Sequence, residues 1–163
     1  MAESLEYTDI YGRFLSKITD FQLMGLSQSE AEECMGDFLQ SVLSRPYVRR
    51  LFSTFTNDTD SETITFELKN PDSDASADNY YILEVLAKSM VVEWLTPKVE
   101  NTLLLHQMFG GKETKWYSQS QHLNQVLAVY ENTRVEIRKM IRDRGYTNNP
   151  YVNGERIGDN LVL

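Results

Sequence analysis

Asn79-Tyr-Tyr-Ile-Leu-Glu-Val-Leu-Ala-Lys-Ser-Met-Val-Val-Glu-Trp-Leu95 decides the fold. On a helix over this span, Ile82, Leu83, Val85, Leu86, Ala87, Met90, Val91, Val92, Trp94 and Leu95 cover most of the circumference. A helix that is apolar nearly all round is a buried one, so this segment is the centre of a helical core. Thr96-Pro97 then offers a new N-cap and a proline at the first helical position, which predicts a break and a separate helix to Phe109 bearing Val99, Leu103, Leu104 and Met108. Gly110-Gly111 stops that helix. The longest helix is predicted over about Ser118 to Arg144, with Leu123, Val126, Leu127, Tyr130, Ile137 and Ile141 facing inward.

Toward the N-terminus the pattern changes twice. Thr8 is placed to cap a short helix to about Ile18, whose Ile10, Phe14, Leu15 and Ile18 form one apolar stripe. Ser27-Gln-Ser-Glu30 has the spacing of a capping box and opens a second helix. Its Ala31, Cys34, Met35, Phe38, Leu39, Val42 and Leu43 recur at three and four, Glu32, Glu33, Asp37 and Gln40 face out, and Pro46 ends it. Beyond Tyr47 the period becomes two: a β-rich run from Val48 to Thr56 precedes Ile64, Phe66 and Leu68, which alternate with polar residues. This is a β-hairpin at about 47–69 with a loose or protruding tip at Asn57 to Ser61, and Asn70 to Asp78 follows as an exposed polar loop. Two strands alone are marginal, so the hairpin needs helices or a neighbouring chain behind it. The fold class is therefore mainly α: about five helices in a bundle, an inserted β-hairpin, and a C-terminal tail.

With 163 residues, 41% hydrophobic and 25% charged, the chain is one domain of ordinary globular composition. A domain of this length buries roughly 70% of the surface its unfolded chain exposes. No apolar run approaches the roughly 20 residues that span a bilayer, and Met-Ala-Glu-Ser-Leu-Glu at the start is acidic where a signal peptide is basic, so no membrane role and a cytosolic site of synthesis are expected. Cys34 is alone, which excludes an intrachain disulfide and favours a small core residue. The net charge of −8 is uneven: residues 1–80 carry 6 Lys and Arg against 15 Asp and Glu, and residues 81–163 carry 10 against 9. Such a chain does not grip phosphates by counterion release. Its one basic cluster, Arg138, Lys139, Arg142 and Arg144, falls at a predicted helix end, where cations complement the macrodipole.

Catalysis needs a constellation that the sequence does not assemble. His106 and His122 are the only histidines, and neither has a second His or Cys at metal-ligand spacing. Gly110-Gly-Lys-Glu113 lacks the Ser or Thr of a phosphate-binding loop. Glu30, Glu32, Glu33 and Asp37 share a solvated face, which leaves no pKa-shifted acid and base. The expectation is a protein that is not an enzyme and carries no cofactor or metal.

The C-terminal stretch favours binding. Gly145 is suited to end the last helix in the left-handed conformation and Pro150 to prevent its resumption. The tail from 145 to 163 then offers Tyr146, Pro150, Tyr151, Val152, Ile157, Leu161, Val162 and Leu163 spaced by turn residues. Tyr151 to Ile157 makes two tiny strands about Asn153-Gly154, too short to stand alone but suited to adding onto another protein's sheet.

Met90-Val-Val-Glu-Trp-Leu-Thr-Pro-Lys-Val-Glu-Asn-Thr-Leu-Leu-Leu105, Lys115-Trp-Tyr-Ser-Gln-Ser-Gln-His-Leu123 and the charged helix closing on Ile141-Arg-Asp-Arg144 resemble the head-to-tail connector proteins, the portal adaptors of the neck of long-tailed bacteriophages. The resemblance spans most of residues 8–144, although the hairpin region is longer here than in that family. It implies a helical virion structural protein with a β-hairpin, assembled in the host cytoplasm as a homo-oligomeric ring of about twelve copies. That ring would join the portal protein to the next neck or tail-completion protein and surround double-stranded DNA without specific binding. On this scheme the tail docks on the portal, Trp116 and Tyr117 lie at the subunit interface, and the loops carrying Asp58, Asp60, Asp72 and Asp74 face the channel. The alternative is a soluble helical chaperone or regulator that binds one client through its tail or through a groove around Trp94 and Trp116.

Overall fold

The computed structural model describes residues 2–18, 23, 25–109 and 116–148, with the side chains of 102–123 excepted. The order of elements is β1 (Glu3–Glu6), α1 (Tyr7–Leu15), α2 (Gln28–Ser44), α3 (Pro46–Arg49), β2 (Phe52–Asp58), β3 (Thr63–Leu68), α4 (Ala75–Phe109) and α5 (Trp116–Thr147). The fold is mainly helical with a small antiparallel sheet, as the periodicities predict.

α4 is the hub. Its Ile82, Val85, Leu86, Ala87 and Met90 are fully buried, and α1, α2, β1 and α5 all pack against it. Phe14, Leu39, Val42, Leu43, Val48, Ile64 and Phe66 complete one core between the sheet and these helices. At 35 residues the helix is about 52 Å long and does not break at Thr96-Pro97 as expected. Pro97 removes the amide that would bond the Glu93 carbonyl, but Leu95 and Val99 are buried on either side and hold the helix on its path. Thr96 is no cap: its hydroxyl donates to the Val92 carbonyl at 2.7 Å, within the helix.

The sheet has three strands, in the order β1-β3-β2, where the sequence led us to expect two. β1 pairs Leu5 with Ile64, and β2 sets Phe55 opposite Phe66 and Phe52 opposite Leu68, so each apolar residue of β3 has an apolar partner on one side. A four-residue strand containing one apolar side chain has too little period-2 signal to be seen in advance. The run expected to begin the hairpin at Val48 is instead the helical turn α3, opened by Pro46 at its first position, with β2 starting at Phe52. The hairpin tip protrudes, with Asp58 to Glu62 exposed, and its base is tied down at Asn57. Tyr7 Oη donates to Asn57 Oδ1 at 2.6 Å, Gln40 Nε2 donates to Tyr7 Oη at 3.0 Å and Asn57 Nδ2 donates to Gln40 Oε1 at 3.0 Å, which joins α1, α2 and β2 in one ring of bonds. At the turn, Glu62 takes a left-handed φ of 52°, and its carbonyl accepts the Tyr7 amide.

α1 starts two residues earlier than expected and stops at Leu15, with Glu6 rather than Thr8 at the cap position. The capping box of α2 is formed: Ser27 accepts from the Glu30 amide while the Ser27 amide donates to Glu30 Oε2 at 3.0 Å. Cys34 is half-buried on the inner side of that helix. Gly145 does not end the last helix. α5 runs through it to Thr147, because Arg144 and Asn148 on either side are anchored to the body of the domain.

Candidate functional site

α5 packs on α4 with its apolar side, where Ile137 is buried and Val126, Leu127, Tyr130 and Ile141 are half-buried. One seam between the two helices is latched by Lys88 on α4 and Glu136 on α5, and Lys88 also approaches Glu84, which binds Lys17 and Arg13 of the N-terminal region. Burial pushes the Glu84 carboxyl up, but hydrogen bonds from Lys17 and Arg13 outweigh it and hold the group below the usual range. The other seam is open. There, α4, α5 and the α2–α3 corner enclose a groove of about 570 Å³.

The groove has an apolar floor and a cationic rim. Val92, Tyr130, Ile137 and Ile141 line its base, while four arginines, Arg45, Arg134, Arg138 and Arg142, stand against two glutamates, Glu93 and Glu100. Two of the arginines are committed within the molecule: Arg45 binds Glu93 at 2.6 Å, and Arg134 reaches Glu131 at 3.2 Å and lies over the Tyr130 ring. Among the described residues, Arg142 meets only its neighbour Asp143, at 3.3 Å and in the open, and Arg138 has no ion-pair partner. Arg138 and Arg142 therefore point two largely unspent charges along the rim. Val135 is 57% exposed beside Arg138 on the same side of α5, and Val129 is 52% exposed farther round.

At the other end of the same seam is a buried ionic clasp. Asp78, 3% exposed in the first turn of α4, accepts the Asp72 amide at 3.0 and 3.1 Å and an Arg144 guanidinium nitrogen. Arg144 also approaches Asp72 at 3.5 Å and lies over the Tyr81 ring, and Asn148 Nδ2 donates to the Pro71 carbonyl at 3.3 Å and to Asp72 Oδ2 at 3.4 Å. The clasp anchors the end of α5 to the start of α4. The Tyr81 hydroxyl is buried beneath it without a hydrogen-bond partner among the described residues, and burial pushes that phenol up to about 12.

The structure separates the acidic residues that the sequence had grouped. Asp72 and Asp74 hold structure together: Asp72 belongs to the clasp, and Asp74 is the cap of α4, accepting the Ser76 amide at 2.9 Å and its hydroxyl at 2.7 Å. The Ser76 hydroxyl and then its amide hold Asp74 below the usual carboxylate range, and the Asp74 amide and Asn148 do the same for Asp72. Asp58 and Asp60 stand at the opposite end of the hairpin, some 17 Å away along β3. Asp58 accepts the amides of Asp60 and Ser61 within its own turn and is lowered by Ser61 first.

The remaining sequence expectations are placed as follows. Tyr146 is on the last turn of α5 and 70% exposed. Pro150, Tyr151, Val152, Ile157, Leu161, Val162 and Leu163 lie outside the described residues, as do the side chains of Trp116 and Tyr117 at the start of α5. Trp94 packs against the core under Lys98 and does not line the groove. The basic cluster divides: Arg144 goes into the clasp, Arg138 and Arg142 go to the groove rim, and Lys139 is exposed. Sequence reasoning missed the groove, because Arg45, Glu93 and Arg138 come together only through packing. It also missed the clasp, although an Asp within a polar loop just before an apolar helix is a signal for a cap or a buried partner.

Among the described residues, no three potential metal ligands cluster and no helix is long and apolar enough to cross a membrane. No protein-family model matches the chain, and no curated protein or solved structure matches it either. The groove can therefore be read only from its chemistry. An apolar trough with cationic edges suits a protein surface that presents aliphatic side chains beside carboxylates.

Proposed function

We propose that this protein is a structural assembly subunit, a head-to-tail connector of a long-tailed phage neck that forms a ring between the portal and the tail. The observation that carries the assembly reading is α5. It is a 32-residue helix of about 48 Å that packs on α4 and leaves an arginine-rimmed groove and the exposed Val135 along its flank. A ring subunit needs two different side faces, and such a flank supplies one of them. The neck assignment is drawn from the resemblance of residues 8–144.

In this reading residues 149–163 dock on the portal, following the end of α5 that Arg144 and Asn148 anchor. The exposed hairpin tip with Asp58 and Asp60 is the acidic surface suited to the channel wall, since Asp72 belongs to the clasp with Arg144 and Asp74 caps α4. A wall of like charge lets a phosphate backbone pass without adhesion.

The test is mass spectrometry of purified virions together with co-sedimentation of the full-length protein on portal assemblies. The expected result is a stoichiometric virion component that binds the portal and loses that binding when 149–163 are removed. Absence from virions, or portal binding that survives the deletion, refutes the corresponding part of the proposal. Free protein that instead captures a single non-virion client through the tail supports the chaperone alternative.

A further inference from the structure

The groove also indicates what covers it. We infer that it is the receiving half of a head-to-tail contact with a second copy of this chain, which seats the outer ridge of its α2 against Arg138 and Arg142. The inference rests on the assembly reading above and names its interface.

Charge and spacing argue for this occupant. Residues 1–80 hold 15 acidic against 6 basic side chains, and on the exposed ridge of α2 Glu33 and Asp37 have no ion-pair partner among the described residues. They stand one helical turn apart, about 6 Å. Arg138 and Arg142 stand one turn apart as well, so two helices laid side by side bring two carboxylates onto two guanidinium groups in register. The apolar parts correspond too. Leu26, 43% exposed, continues the α2 ridge just before its N-cap, and Val135 continues the α5 ridge beside Arg138. The two surfaces are different patches of one molecule, so the contact is heterologous and propagates into a ring or a filament instead of stopping at a dimer.

Charge exchange in the full-length protein tests it by sedimentation velocity over a concentration series. Wild-type chains are expected to self-associate, less strongly as ionic strength rises from about 0.05 to 0.2 M. Arg138→Glu with Arg142→Glu should weaken association at least about tenfold, and Glu33→Arg with Asp37→Arg should do the same. All four positions are exposed, so unchanged circular dichroism and unfolding midpoints are expected and verify the fold. The chain carrying all four substitutions should recover self-association, because both partners are reversed together.

A wild-type protein that stays monomeric at every attainable concentration overturns the inference. So does a four-substitution chain that fails to recover, the outcome expected if the groove takes the chain's own residues 149–163. Duplex DNA retained in an Arg138- and Arg142-dependent manner overturns it in favour of a nucleic-acid site. If virions contain the protein but the charge exchange has no effect, this contact fails and the neck reading stands. If the exchange behaves reciprocally in a protein that virions lack, the contact stands and the neck reading fails.

Discussion

Replacing Arg144 by methionine removes the cation of the clasp while keeping most of its aliphatic bulk. Asp78 is then left as a carboxylate 3% exposed, with the Asp72 amide still donating at 3.0 and 3.1 Å but no counter-charge on its other side. Removing one partner of a buried ion pair costs about 3–5 kcal/mol. The retained amide bonds and the partly open rim, where the Asp72 side chain is 34% exposed, put this case at the low end, about 3 kcal/mol. With a urea slope of about 2 kcal/mol/M, the unfolding midpoint should fall by about 1.5 M. Asp78→Asn alone should also destabilise. The two substitutions combined should cost at least about 1 kcal/mol less than their sum, because each single change strands what the double change removes. A loss below about 1 kcal/mol for Arg144→Met, or strict additivity in the double variant, would show that the clasp is not a coupled buried pair.

Three further outcomes follow from the same geometry. Ser27→Ala removes the side-chain acceptor for the Glu30 amide and should cost about 1 kcal/mol in chemical denaturation; no loss would mean the capping box contributes nothing. Pro97→Ala restores an amide to the middle of α4 and should stabilise the protein by about 1 kcal/mol or more, whereas a lower melting temperature would show that packing depends on the proline's bend. Burial raises the phenols of Tyr11 and Tyr81 to about 12, above the unfolded value of about 10. Their contribution to stability is then complete below about pH 10 and lost as the pH climbs through about 12. Ultraviolet titration should show two tyrosines ionising late, and replacing both with phenylalanine should remove that late phase.

The connector reading places the ring contacts on surfaces that a lone subunit leaves unfinished. The clasp gives those surfaces a fixed frame. Through Asp72, Asp78 and Arg144 it joins the start of α4 to the end of α5, the two helices that wall the groove.

Local pattern was enough to identify α2, α4, α5 and the β2–β3 hairpin, because each carries its own period and the Ser27 capping box is written in four consecutive residues. The sequence also determined the buried circumference of α4 and the outward acids of α2, since burial follows from spacing once the element is known. It could not show that α4 passes through Pro97, because the proline's cost is local while the burial of Leu95 and Val99 that offsets it is tertiary. It could not show β1, whose single inward residue matters only because Ile64 lies opposite. The functional surface was the least legible part. Arg138, Arg142 and Arg144 read as one basic helix end, yet the turn of α5 sends Arg144 to a buried aspartate 66 positions away and leaves the other two on an open groove. Which charges are spent inside the molecule and which remain for a partner is decided by side chains far apart in the chain, and only packing brings them within reach.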